Sequence, residues 1–174
     1  MRYVVLVFCV FAAACAGGGA SAPTSPSSSI GGAALTEARG GSALPFKGTL
    51  EATETPQPQG TTSTLINLVG TGNATHLGRF TLTSQFTVVN ATTTGATASG
   101  TATWTAANGD QLFTSTTGRA VVTFPIAAIV ETHTITGGTG RFVGASGTNI
   151  LERSLNLVTN VSSASITGTI NLGR

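Results

Sequence analysis

Hydrophobic and polar residues alternate along most of the chain after about Pro45. The longest clean run sets Phe80, Leu82, Ser84, Phe86 and Val88 against Thr81, Thr83, Gln85 and Thr87. Turns rich in Gly, Asn and Pro separate such runs at intervals of about 8–12 residues, which is typical of an all-β sandwich or barrel. No long window shows a helical period, so the pattern predicts strands throughout.

These runs predict about eight or nine strands. They cover residues 46–52, 64–69, 80–88, 101–106, 112–117, 120–124, 129–136, 149–159 and 163–172, with a break predicted over 55–60. The connections are too short for parallel crossovers, so we expect antiparallel pairing. A closed barrel leaves no exposed sheet edge and is favoured, with a β-sandwich as the alternative.

Composition narrows the function classes. The 174 residues include only eight Lys or Arg and six Asp or Glu, for a net charge of +2. Nucleic-acid binding needs clustered positive charge, so we expect no nucleic-acid partner. The 40% hydrophobic content argues against disorder. Threonine on one face of most strands argues against a transmembrane barrel, whose outer face would be apolar.

The N-terminal segment predicts export. Residues 1–14 combine Arg2 with a short apolar run, as in a signal peptide, and the run is too short to span a membrane as a helix. Ala13-Ala14-Cys15-Ala16 resembles a bacterial lipobox, although Ala12 stands where that pattern prefers Leu. Cys15 is therefore the candidate lipidation site. Cleavage at Ala14-Cys15-Ala16 by ordinary signal peptidase, which would release a free chain, is the alternative.

Residues 15–44 are predicted to form a flexible tether to a domain at 45–174. The two cysteines, Cys9 and Cys15, both lie in the signal region, so we expect no disulfide in the domain. Ala16 occupies the position where Asp would favour inner-membrane retention in Gram-negative lipoproteins. The resemblance therefore implies an outer-membrane anchor facing the periplasm or the exterior, with free secretion as the alternative.

Three segments stand out from the threonine-rich background. They read G-T-G-N-A-T-H-L-G-R-F-T at 70–81, A-A-N-G-D-Q-L at 106–112 and I-T-G-G-T-G-R-F-V-G-A-S-G at 135–147. The last resembles the glycine turn shared by allene oxide cyclase and dirigent proteins, and the three together resemble uncharacterised bacterial exported relatives of that superfamily. The resemblance implies an eight-stranded antiparallel barrel. It assigns no catalytic residue, because the matching motifs are structural, and we expect Phe142 to plug one end of the core.

The candidate functional residues are few. Period 2 places Glu131 and His133 on one strand face with Ile129 and Ile135, and Arg153 shares its face with Leu151 and Leu155. If these faces point inward, a carboxylate, an imidazole and a counter-ion could line a small-ligand site in the barrel. The simpler interpretation, which is favoured, is that this strand is bulged or near a rim, with all three side chains in solvent.

The other candidates have structural interpretations. His76 lies in a glycine-flanked turn, where its ring would fix the loop by a hydrogen bond, and Asp110 would bond nearby backbone amides. We expect no metal site and no cofactor, because ligands for a metal are scarce. Three functions stay open: an envelope lipoprotein that binds a small apolar ligand, an isomerase or cyclase of the allene oxide cyclase type, and a purely structural or adhesive surface domain.

Overall fold

The computed structural model describes residues 42–89, 91–92 and 95–173. The predicted signal peptide, the candidate lipidation site Cys15 and almost all of the predicted tether lie outside these residues. In the described ranges, no helix has the length and apolarity needed to cross a bilayer.

Eight strands and one short 3-10 helix make up the domain. They are β1 Leu44–Gln59, β2 Ser63–Ala74, β3 Gly78–Val89, β4 Gly95–Ala106, β5 Gln111–Thr123, β6 Ile126–Gly138, the 3-10 helix Gly140–Phe142, β7 Ser146–Asn156 and β8 Val161–Asn171.

The strands form one closed barrel in simple chain order. Each strand pairs antiparallel with the next one along the chain, and β8 pairs back onto β1 from Leu44↔Ile170 to Thr53↔Val161. The all-β closed antiparallel barrel predicted from alternation is confirmed, and the sandwich alternative is wrong. Closure satisfies the backbone groups of every strand over most of its length, since both neighbours are present.

Several predicted strand boundaries are wrong: β2 continues to Ala74, β4 begins at Gly95, and β7 ends at Asn156 instead of residue 159. The break expected over 55–60 is the second half of β1, which pairs with β2 as far as Gln59↔Ser63. Pro56 and Pro58 fit there because pairing between β1 and β8 ends at Thr53, leaving that flank of β1 without a ladder that needs their N–H groups.

The two strands expected at 112–117 and 120–124 are a single strand, β5. Gly118 and Arg119, interpreted as a break, lie inside its ladder with β6, opposite Glu131 and Val130. A Cβ added at Gly118 would lie 3.0 Å from Glu131 Cγ, so glycine at this position leaves room for the glutamate side chain.

One end of the barrel is packed solid; we call it the closed end. The connections β2–β3, β4–β5 and β6–β7 meet there. Trp104 contacts Phe46 and Phe80, with ring centroids 6.2 and 5.1 Å apart, in the edge and tilted geometries that aromatic pairs prefer. Phe142, from the glycine turn, is fully buried with them and plugs this end as expected.

Candidate ligand-binding cavity with a buried ion cluster

The opposite end of the barrel, the open end, contains a cavity of about 620 Å³. The connections β1–β2, β3–β4, β5–β6 and β7–β8 surround its mouth. The space is left open because the residues that face it are small. On β4, β5 and β6 they include Ala96, Ala98, Gly118, Ala120 and Ala127. At the closed end the lumen is filled by aromatic rings instead.

The cavity wall is mainly apolar. Besides the small residues, it is lined by larger apolar side chains: Ile66, Phe86, Val88, Val122, Ile129 and Leu155. Binding pockets for small molecules typically have volumes of about 300–1,000 Å³ and apolar walls with a few fixed polar groups. The cavity has this size and this type of wall.

Three charged side chains, which we call the ion cluster, form the deep end of the cavity: Glu54 on β1, Glu131 on β6 and Arg153 on β7. Arg153 Nη1 donates hydrogen bonds to Glu54 Oε1 and, at 3.1 Å, to Ser162 Oγ on β8. Its Nη2 donates to Glu131 Oε1 at 2.9 Å. A single guanidinium therefore links the inward faces of four consecutive strands, β6, β7, β8 and β1.

His133 lies one inward position beyond Glu131 along β6, toward the closed end. Its Nε2 is 3.6 Å from Glu131 Oε2, and its Nδ1 lies 3.1 Å from the hydroxyl oxygens of both Thr114 and Thr116. The Trp104 indole N–H donates to Thr114 Oγ1 at 3.2 Å, which ties this polar layer to the aromatic packing below it. The hydroxyls therefore hold the imidazole at Nδ1, while the carboxylate lies near Nε2 beyond hydrogen-bond distance.

The charges in the ion cluster do not cancel. Two carboxylates face one guanidinium, so the formal charges of the three side chains leave one negative charge in excess. Burial of Glu131 acts to raise its pKa, but the approach of the His133 ring and the charge of Arg153 outweigh it and hold the pKa below its ordinary value. Burial likewise acts to lower the pKa of Arg153, and the two glutamates raise it instead.

A second polar layer lies next to His133. Asn149 on β7 is the register partner of His133 and is fully buried. Within the described residues, neither of its side-chain polar atoms has a hydrogen-bond partner, and His133 Nε2 has none either. Such groups cost free energy in a dry interior, so this layer is a weak point of the packing.

The sequence alone favoured placing the three candidates in solvent, and that interpretation is wrong. Glu131 is 5% exposed, His133 2% and Arg153 3%. The alternation was interpreted correctly, since all three side chains share the inward faces of their strands. Burial of these charges is possible because Arg153 and the two glutamates satisfy one another.

Several functional residues were missed. Glu54 continues the inward face set by Leu50 and Ala52, but the expected break at residue 55 hid it. Thr114 and Thr116 continue the inward face of Leu112, where they could not be told from the outward threonines. Extending the inward–outward alternation along whole strands, rather than within short runs, would have placed all three residues on the inward face.

The two remaining candidates lie at the closed end. His76 Nε2 forms a hydrogen bond with the Pro45 carbonyl at 3.1 Å, the loop-fixing contact expected for it. The Asp110 carboxylate accepts hydrogen bonds from Asn108 Nδ2 and from the Arg141 backbone N–H. Those bonds lower the pKa of Asp110 below its ordinary value. Both residues stabilise turns away from the cavity.

Comparison with known proteins adds a likeness of fold. The chain is similar to solved structures of two pterocarpan synthase dirigent proteins, PsPTS1 and GePTS1, each 14% identical to it. The match to PsPTS1 covers 76% of this chain and 96% of that one, with a TM-score of 0.48. The match to GePTS1 covers 76% and 86%, with a TM-score of 0.49. No protein-family model matches the sequence, and neither does any curated protein.

Proposed function

We propose that this barrel binds a small, largely apolar molecule in its open-end cavity. The observation that carries the proposal is a lumen of about 620 Å³ with apolar walls and a charged, hydrogen-bonded floor. A domain with a purely structural role would gain stability from filling that space, as the aromatic side chains do at the closed end.

The ion cluster supports a ligand with one polar end. Arg153 and the glutamates are held by one another and by Ser162, so their positions are set before any ligand enters. The excess negative charge favours a group that donates hydrogen bonds or carries positive charge. The apolar walls above it suit the rest of the molecule.

Native mass spectrometry of the chain from its own host, before and after organic extraction, tests the proposal. We expect a mass adduct that extraction removes. An empty barrel would support the structural or adhesive alternative and count against ligand binding.

A fluorescent probe gives a second test with matched variants. N-phenyl-1-naphthylamine, which is neutral and apolar, should brighten on binding the wild-type chain. Ala120→Phe fills the cavity and should abolish the signal, whereas Val121→Phe adds the same ring on the outward face of β5. Equal probe binding by the two variants would contradict the assigned site.

We also propose that the barrel is held at the cell envelope through a lipid on Cys15. The support is the lipobox-like sequence Ala13-Ala14-Cys15-Ala16 after a short apolar run. Metabolic labelling with a palmitate analogue should mark the wild-type chain but not Cys15→Ala. Labelling that persists in that variant, or a wild-type chain found unlabelled in the medium, would favour free secretion.

A catalytic role, such as an isomerase or cyclase, is the second candidate. Its support is the approach of His133 to Glu131 at 3.6 Å beneath the cavity, because a carboxylate beside an imidazole can accept and return a proton. Incubation in deuterated water should then place deuterium on a carbon of the extracted ligand. Glu131→Gln should stop that incorporation while the probe still binds; a wild-type chain that incorporates none is only a binder.

A further inference from the structure

Large apolar side chains are exposed around part of the open end. Phe124 in the β5–β6 turn is 74% exposed, Val158 in the β7–β8 turn 67%, and Val121 near the end of β5 62%. The two turns touch, because the Leu157 backbone N–H donates to the Pro125 carbonyl at 2.8 Å. Phe124, Pro125, Leu157 and Val158 therefore lie on two adjoining turns, and Val121 lies three residues before the first of them. We call these five residues the apolar rim.

The apolar rim continues into the cavity. Phe124 and Leu157 belong to the rim and also line the cavity. A molecule that slides over the rim therefore meets apolar side chains along its whole path to the interior. The barrel wall offers no such path, since its outward positions are mostly threonine and serine.

The connections at the two ends differ in charge. In the sequence of the connections at the open end, 60–62, 90–94, 124–125 and 157–160, no residue is charged. The connections at the closed end, 75–77, 107–110 and 139–145, carry Asp110 and Arg141. On the strands near the rim, Arg119 and Glu152 both lie opposite Val130 in the ladders, so neither sign of charge dominates there. Exposed apolar side chains on uncharged turns suit the interfacial region of a lipid bilayer, which such turns can enter without burying a charge.

We propose that the apolar rim docks on a lipid bilayer and that the cavity takes an amphiphilic molecule directly from it. The proposal rests on the ligand-binding function proposed above and names the source and class of the ligand. Its apolar body would pass between Phe124 and Leu157, while its polar end would reach Glu54 and Glu131 on the cavity floor.

The length of the N-terminal chain permits this orientation. β1 begins at the closed end, so an anchor at Cys15 would have to reach past the barrel for the mouth to face the same membrane. About 30 residues separate Cys15 from Leu44, enough to span about 100 Å when extended. A strand of about 12 residues is about 40 Å long, so the reach exceeds the height of the barrel.

Flotation with lipid vesicles tests the docking. The exported chain with Cys15→Ser, which carries no acyl group, is mixed with vesicles of three parts phosphatidylethanolamine to one part phosphatidylglycerol. We expect it to float, and Val121→Ser with Val158→Ser to lower the bound fraction at least tenfold. The matched control, Val69→Ser with Val143→Ser, removes two comparably exposed side chains from outside the rim and should float like the parent.

Probe binding by the same chains separates this proposal from the ligand-binding function. The rim variant should still bind N-phenyl-1-naphthylamine in vesicle-free solution, because neither Val121 nor Val158 lines the cavity. A parent chain that does not float, or a rim variant that floats equally well, overturns the docking proposal even where the probe binds. Flotation without probe binding would overturn the ligand-binding function and leave a membrane-docking surface alone.

Discussion

The two ends of the barrel share one backbone plan and differ in what their inward residues do. At the closed end, Trp104, Phe80 and Phe142 fill the lumen, and burial of their rings stabilises the fold. At the open end, inward positions such as Ala98 and Ala120 leave a cavity whose floor is charged. The comparison teaches that strand pairing sets the barrel, while the volume of alternate side chains decides which part is core and which part is a site.

The largest expected change in stability follows from removing the cation of the ion cluster. Arg153→Met leaves two buried carboxylates unpaired and should lower the free energy of unfolding by about 3–5 kcal/mol in urea denaturation. Replacing the whole cluster, with Glu54→Leu and Glu131→Leu added, should recover most of the loss. A triple variant no more stable than the single one would mean that the cluster does not act as a unit.

Removal of the Phe142 ring, which plugs the closed end, should cause the second-largest loss of stability. Phe142→Ala should cost about 3 kcal/mol, in the lower part of the range for large-to-small changes, because the short turn that carries Phe142 can partly collapse. Phe124→Ala at the open end should change stability by less than about 0.5 kcal/mol, since that ring is already in water. Similar losses at the two positions would contradict the contrast between the ends.

A larger side chain at an inward alanine should destabilise the closed end but not the open end. Ala106→Leu overpacks the closed end and should cost about 1–3 kcal/mol. Ala120→Leu fills part of the cavity and should be neutral or stabilising by about 0.5 kcal/mol, while it weakens probe binding. Thermal denaturation of both variants in parallel checks this pair, and a loss of equal size at Ala120 would show that the open end is packed.

The smallest expected change in stability appears only at acidic pH. Because the folded state holds the pKa of Glu131 below its ordinary value of 4.5, the ionised carboxylate contributes stability above that value, and the contribution is lost as pH falls through the lower folded pKa. Glu131→Gln should therefore show a shallower fall in the free energy of unfolding between about pH 5 and pH 3. Glu152→Gln, on the outer face of β7, is the control for removing one carboxylate. Parallel pH curves for wild type and Glu131→Gln would contradict the assignment.

Alternation along the chain predicted the strands and the face that Glu131 shares with His133, and the short connections predicted antiparallel pairing, because each depends on local sequence. The favoured interpretation still placed Glu131 in solvent, which is wrong. Alternation could not predict that β1 continues through Pro56, since that depends on where β8 stops pairing. Glu54 was lost for the same reason. The contacts among Glu54, Glu131 and Arg153 join side chains up to 99 residues apart in sequence, and only closure of the barrel brings them together.

That closure has a consequence for how the chain acquires its fold. Seven of the eight strand pairings join neighbours in sequence and can form as hairpins while the chain emerges from its N-terminus. The eighth, between β1 and β8, cannot form until the last strand has been delivered. Arg153 cannot meet Glu54 across that seam before then. The polar floor of the cavity is therefore completed last, and a chain stopped short of β8 would present an open, unpaired sheet.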